Sequence, residues 1–339
     1  MSGTSEGMLF LILAAVMNAS FTLPMKFAGR WAWENTWLAW TIFALLVLPP
    51  GITLLTVPHL GDIYSSTSGV ALLSAVLFGA GWGVAQVFFG LAVDAIGIAL
   101  TFSLVLGTSA AVGTIIPLLR LHADRLHTQA GHLVIASVAL VLVGVLICAI
   151  AGRQRERAMR STTAGIPKAG TVGLLLAILC GFGASFVNLG LSFGAPLISA
   201  ARSNGASELM APNAVWFPLM MAGAIPNLLY CAWLLKKNQS FTRYRLSTAG
   251  HWVLALLMAI FWFGSTLVYG AATQHLGALG PVLGWPLFMS LIVITASLLG
   301  MMTGEWRQSG RGPLSIQLAG VVVLVLAVFL LAHTSQMVS

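Results

Sequence analysis

The feature that most constrains this chain is the recurrence of apolar runs about 20 residues long with no charge in their interiors, the length a helix needs to cross the hydrocarbon core of a bilayer. Ten runs fall at 6–26, 35–57, 69–92, 97–119, 131–152, 170–194, 211–235, 249–273, 278–301 and 315–334. In lipid every backbone polar group must be satisfied within a helix or a closed barrel. A barrel would show short alternating segments instead, so the pattern predicts an all-α polytopic membrane protein. Charged residues make up 7% of the 339 and hydrophobic residues 58%. Twenty-four charged side chains cannot cover a soluble domain of this size. A cytosolic enzyme, a nucleic-acid reader and a disordered chain are thereby excluded. The N-terminus lacks a basic region, so the first run reads as a retained span rather than a cleaved signal. Cys148, Cys180 and Cys231 each lie in an apolar run, match no metal or disulfide spacing, and read as packing residues.

The net charge of +8 is loop charge rather than a nucleic-acid surface. Thirteen of the sixteen Lys and Arg residues lie in the loops that follow odd-numbered spans, against Arg120, Arg125 and Arg202 on the other side. The positive-inside rule makes the first set cytoplasmic and puts Ser2 and Ser339 outside and Arg157 inside. The longest polar stretch, with Arg153, Arg155, Glu156, Arg157 and Arg160, divides the spans five and five. It predicts a first unit over 1–152, a solvated cytoplasmic linker over 153–169 and a second unit over 170–339.

The halves also match each other. At an offset of 180, Trp82 falls on Trp262, Gly90 on Gly270, Ala92 on Ala272 and Gly97 on Gly277. At an offset of 165, Ala19-Ser20-Phe21 falls on Ala184-Ser185-Phe186, and Gly29 on Gly194. Because five is odd, duplicated five-helix units would cross the membrane in opposite senses. Such inverted repeats mark secondary transporters, whose substrate site lies near the midplane at the repeat interface.

No carboxylate falls at the centre of a span. The polar residues there are neutral: Asn18, Ser20 and Thr22 on span 1, Gln86 on span 3, Asn188 on span 6, and Asn213 and Asn227 on span 7. Buried amides need hydrogen-bond partners, so these face the bundle, either joining helices or holding a ligand. Trp31, Trp33, Trp37 and Trp40 cluster where span 2 enters the membrane and read as interfacial anchors. Trp82, Trp262 and Trp285 lie deeper. Trp82 and Gln86 share a helical face, and Trp262 and Tyr269 stand seven residues apart on the symmetry-related span. Aromatic rings beside amides hold sugars, the rings stacking on C–H faces and the amides bonding hydroxyls; core packing of aromatics is the other reading. Pro24, Pro117, Pro196, Pro218, Pro226, Pro281 and Pro286 interrupt or end spans and permit kinks. No HExxH, catalytic His/Asp cluster or nucleotide-binding glycine loop is present, so neither an enzyme nor a cofactor is expected. An inverted repeat favours alternating access over a pore.

Several motifs carry a family resemblance: Pro24-x-Lys26, then Trp31-x-Trp33-Glu34 with Trp37; Phe78-Gly79-x-x-Trp82-Gly83 with Gly90-Leu91; Cys180-Gly181; and Glu305-Trp306-x-x-x-Gly310-Arg311-x-Pro313. In these the chain resembles the L-rhamnose–proton symporter family, a branch of the drug/metabolite transporter superfamily, over most of its length. The resemblance implies ten helices in two inverted five-helix repeats and proton-coupled uptake of a 6-deoxyhexose across a bacterial inner membrane. The alternatives are another sugar or an exported metabolite on the same fold. Asn18, Trp82, Gln86, Asn188, Trp262, Tyr269 and Trp285 are the expected sugar-binding residues. Proton coupling is expected at Glu34, near Lys26 and Arg30, with Glu305 as the alternative carrier.

Overall fold

A computed structural model describes residues 3–159, 170–246, 248–304, 306–307 and 309–338. Among them the chain is predominantly helical, with no strand. Ten helices are long and apolar enough to span a membrane: α1 (Gly3–Phe27), α2 (Trp33–Thr56), α3 (Gly69–Ile96), α4 (Ile98–Leu121), α5 (Gln129–Ala158), α6 (Thr171–Phe193), α7 (Asn213–Lys237), α8 (Ala249–His275), α9 (Gly277–Met302) and α10 (Arg311–Val338). The predicted spans are thus all present, with shifted ends. Short helices in two connections, Leu60–Ser66 and Ala195–Ser203, were not foreseen. Side chains such as Leu55, Val70, Leu229 and Phe329 stay exposed on the outside of the bundle, where lipid replaces a protein neighbour.

Local chemistry explains the irregularities. Regular α-helix ends at Ser20, and the chain continues as a 3₁₀ turn, Leu23–Phe27, in which Pro24 supplies no N–H. In α2 the turn Ile42–Val47 widens to π geometry immediately before Pro49 and Pro50, whose rings would otherwise clash with carbonyls one turn back. Gly97, at φ +85°, joins α3 to α4 without a loop, a conformation that favours glycine. α5 differs from expectation in a way that bears on function. Its helix runs on to Met159, so residues 153–159 of the predicted solvated linker are its last turns. Residues 160–169 lie outside the described residues.

The helices pack in a regular scheme. α1 packs on α8 and α9, as α6 packs on α3 and α4. α2 packs on α8, as α7 packs on α3; α4 packs on α5, as α9 packs on α10. α5 meets α10, α4 meets α9 and α2 meets α7. Each of these contacts maps onto another, or onto itself, when α1–α5 are exchanged with α6–α10. α3 and α7 approach closely over two turns, where a Cβ on Gly79 would lie 2.1 Å from the Leu219 carbonyl oxygen and one on Gly83 2.4 Å from that of Gly223. Small residues are what let transmembrane helices approach this closely. The three cysteines are free and buried, as packing residues should be.

Candidate functional site

The end of α5 meets the start of α4 and Trp306 of the α9–α10 connection, and the start of α2 meets the α7–α8 connection; the face of the bundle that carries these described segments is called the linker face. The guanidinium of Arg155, from the end of α5, lies over the Trp306 ring at 5.1 Å, and Ala99 at the start of α4 donates its N–H to Glu156 Oε1 at 3.0 Å. On the opposite face Glu6 pairs with His275, and Arg202 bridges Glu208 and Gln274.

A cavity of about 330 Å³ lies in the linker half, between α1, α4, α5, α9 and α10. Its volume is in the range of small-molecule sites. Its polar lining includes Asn18 and Thr22 of α1, Arg155 and Glu156 of α5, Ser297 of α9 and Gln317 of α10. Gln317 donates to Ser297 Oγ at 2.7 Å.

Behind Asn18 lies the centre of the bundle. Asn18 Nδ2 donates to Ser265 Oγ at 3.0 Å, and Ser265 donates to the Trp262 carbonyl at 2.7 Å. Trp262 sits at the midpoint of α8 and stacks on Trp82, with centroids 5.3 Å apart and planes 21° from parallel. Trp40 meets Trp262 edge-on at 5.2 Å, Trp37 follows Trp40 at 4.5 Å, and Trp33 stacks on Trp37 at 5.0 Å. Five tryptophans thus form a ladder from the linker face to the middle of the membrane. Trp37 Nε1 donates to Asn227 Oδ1 at 3.3 Å. Trp40 Nε1 and the Thr41 hydroxyl are buried with no hydrogen-bond partner among the described residues, and buried donors of this kind call for a ligand or water.

A second polar cluster lies nearer the opposite face. Tyr269 donates to Asn188 Oδ1 at 2.6 Å, and Asn188 Nδ2 donates to the carbonyls of Gly113 and Pro281 at 2.8 and 3.0 Å. Trp285 packs edge-on against Tyr269 at 5.4 Å and donates to the Ser109 carbonyl at 2.9 Å.

The family described as L-rhamnose-proton symport protein matches residues 2–335. The chain belongs to the L-rhamnose-proton symport family. L-rhamnose-proton symporters of Salmonella typhi and Salmonella dublin are 29% and 28% identical to it over 331 residues, 95% of each chain. The one from Salmonella enteritidis is 28% identical over the same share. Symport-family membership makes the chain a transporter rather than an enzyme, and with ten spanning helices it is a multi-pass membrane protein.

Within this symport-family bundle the seven expected sugar-binding residues divide. Asn18 lines the cavity, and Trp82 and Trp262 stand behind it. Gln86 is partly buried one turn from Trp82, and its side chain makes no hydrogen bond among the described residues. On the same helical face Phe89 meets Phe102 edge-on at 4.9 Å, and Phe102 lines the cavity. Asn188, Tyr269 and Trp285 form the second cluster, and α8 carries Tyr269 about 10 Å beyond Trp262 at its rise per residue. The interfacial reading of the early tryptophans is corrected for Trp40, which is 1% exposed at the heart of the ladder; Trp33 is 38% exposed at the edge of the bundle.

Glu34 is 4% exposed in the first turn of α2. Its partners are Asn238 Nδ2, at 3.0 Å, and the Ser240 hydroxyl, both from the α7–α8 connection and both on Oε1. Asn35 donates to the Ser240 carbonyl at 3.0 Å, and Tyr244 to the Asn35 carbonyl at 2.9 Å. Burial pushes the Tyr244 phenol up to about 12, so it remains a donor at any physiological pH. The sequence put Lys26 and Arg30 beside Glu34 and gave no hint of the α7–α8 connection, 204 residues away. Glu305 lies outside the described residues.

Arg155, Glu156, Ser297 and Gln317 escaped the sequence reading. Charge placed the first two in the linker. The signal was helical spacing, since Val145, Cys148, Gly152, Arg155 and Glu156 continue one face of α5 and all line the cavity.

Proposed function

We propose that this chain carries L-rhamnose, or a related 6-deoxyhexose, together with protons into the cell across a bacterial inner membrane by alternating access. Family membership supports the chemistry. The single observation that carries the site is the stacked Trp82–Trp262 pair. These two residues are related by the 180-residue offset, so one copy of the motif meets the other at the middle of the bundle. In an inverted-repeat transporter that meeting point is where substrate binds.

The unit boundaries follow the same logic: five helices over 1–152, a connection over 153–169 and five helices over 170–339. The exchangeable packing scheme supports the duplication. So do the turns at Gly97 and Gly277, at φ +85° and +72°. The first sits beside Glu156 at the end of α5, and the second beside Val338 at the end of α10. Basic residues on the linker face support a cytoplasmic linker and extracytoplasmic termini.

Asn18, Trp82, Gln86 and Trp262 hold the sugar at the inner end of the cavity, and the partnerless Trp40 Nε1 is a further donor for a hydroxyl. Asn188, Tyr269 and Trp285 join this site from the opposite side when that side opens. Glu34 carries the coupled proton. Its hydrogen bonds tie α2 of the first unit to the α7–α8 connection of the second, so protonation weakens a tie between the moving units.

Purified protein in liposomes tests the proposal. An imposed proton gradient, acid on the side of the termini, drives saturable accumulation of labelled L-rhamnose. Accumulation that ignores the gradient, or that is displaced only by unrelated solutes, overturns it.

A further inference from the structure

We infer that the Asn188–Tyr269–Trp285 cluster is the gate on the opposite face, and that its hydrogen bonds bias the empty carrier toward the state open at the linker face. The inference rests on the alternating-access reading of the chain.

Asn188 has spent its bonding capacity: both amide hydrogens go to carbonyls and its oxygen takes the Tyr269 hydroxyl. The amide therefore has no hydrogen free for a sugar in this state. Instead it ties α6 to α4 through Gly113, to α9 through Pro281 and to α8 through Tyr269. The Trp285 indole adds a second tie between α9 and α4. Asn188 and Tyr269 are 0% exposed and Trp285 4%. The indole fits because α4 has no side chain there; a Cβ on Gly113 would lie 2.4 Å from its Cδ1.

Position identifies the cluster as a gate. On its inner side stand the Trp82–Trp262 pair and the cavity that reaches the linker face. On its outer side is a cleft lined by Pro117, His122, Ser192, Ala278, Pro281 and Val282. Pro281 belongs to both, its carbonyl bonding Asn188 while the residue lines the cleft. A solute moving from the cleft to the tryptophan pair must part α9 from α6 and α4, which breaks these bonds.

The two-unit relation supplies the bias. At the offsets of 165 and 180 residues the counterparts of Asn188, Tyr269 and Trp285 are Leu23, Phe89 and Val105. The image of the gate at the linker half is therefore apolar. At these three positions, closing that half offers no side-chain hydrogen bonds to match those lost at the opposite face. A buried polar group left without its partner is penalised, so opening the gate is opposed unless a ligand replaces the lost bonds. A sugar's hydroxyls are suited to do that, and arrival of sugar from the opposite face then offsets the opening.

The test needs no sugar. In protein with Cys148, Cys180 and Cys231 replaced, a single cysteine is placed at Ser192, in the outer cleft and 5% exposed, or at Ser103, in the linker-half cavity. Labelling by an impermeant maleimide is timed from each side. Tyr269→Phe keeps the ring and removes one bond, leaving Asn188 Oδ1 without its donor. It should speed labelling at Ser192→Cys about fivefold and slow it at Ser103→Cys, the reciprocal shift of a two-state carrier. Asn188→Ala should do the same more strongly. Unchanged rates in both variants, or faster labelling at both positions together, overturn the gate. If the substrate is another solute the labelling result still stands, while failure of rhamnose uptake alone counts against the substrate and leaves the gate untouched.

Discussion

Gly83→Ala isolates how closely the central pair depends on the approach of α3 to α7. The new methyl would meet the Gly223 carbonyl oxygen at 2.4 Å and its backbone carbons at 3.0 Å. All three are backbone atoms, so no side chain can rotate away. The helices must separate by about 1 Å to restore ordinary contact, and Trp82, next in sequence and packed against Gly223, moves with α3. Overpacking of this kind destabilises by about 1–3 kcal/mol. Gly90→Ala is the matched control, in the same helix with nothing within 4 Å of its Cβ. There the exchange should stabilise by about 0.5–1 kcal/mol, because alanine loses less backbone freedom than glycine on entering a helix. The two variants should therefore move thermal unfolding in detergent in opposite directions, and only Gly83→Ala should impair transport. Equal melting and equal transport in the two would refute the close-packing argument.

Two further predictions concern coupling and orientation. Glu34→Gln should abolish proton-driven accumulation of sugar yet keep sugar exchange between the two sides; if proton-driven accumulation survives, Glu34 is not the carrier. Accessibility mapping should find a C-terminal tag extracytoplasmic and a cysteine at Arg157 cytoplasmic, and a cytoplasmic C-terminus would mean that loop charge does not set the orientation.

The spans were legible because lipid imposes one rule on every residue of a helix, and ten long apolar runs obey it. The weak repeat pointed at Trp82 and Trp262, and the two rings do meet. What sequence could not supply was contact across long separations. Glu34 looked like a partner for Lys26 and Arg30 because they are close along the chain, whereas its hydrogen bonds come from Asn238 and Ser240. Arg155 and Glu156 looked like solvated charge because composition ignores that α5 continues through them. Asn188, Tyr269 and Trp285 were rightly picked out as buried polar and aromatic residues. Only the fold reveals that Tyr269 donates to Asn188, and that Asn188 and Trp285 donate to the carbonyls of Gly113, Pro281 and Ser109, which no side-chain pattern encodes.

The central claim, that sugar is held beside the tryptophan pair, is tested most directly by titrating L-rhamnose into purified wild-type, Gln86→Ala and Trp82→Ala proteins. Gln86→Ala should weaken binding by about 1–3 kcal/mol, the loss expected when a bound hydroxyl is left without its amide. Trp82→Ala should also weaken it, by removing the stacking face. Wild-type affinity in both variants would contradict the account and move the sugar site elsewhere in the bundle.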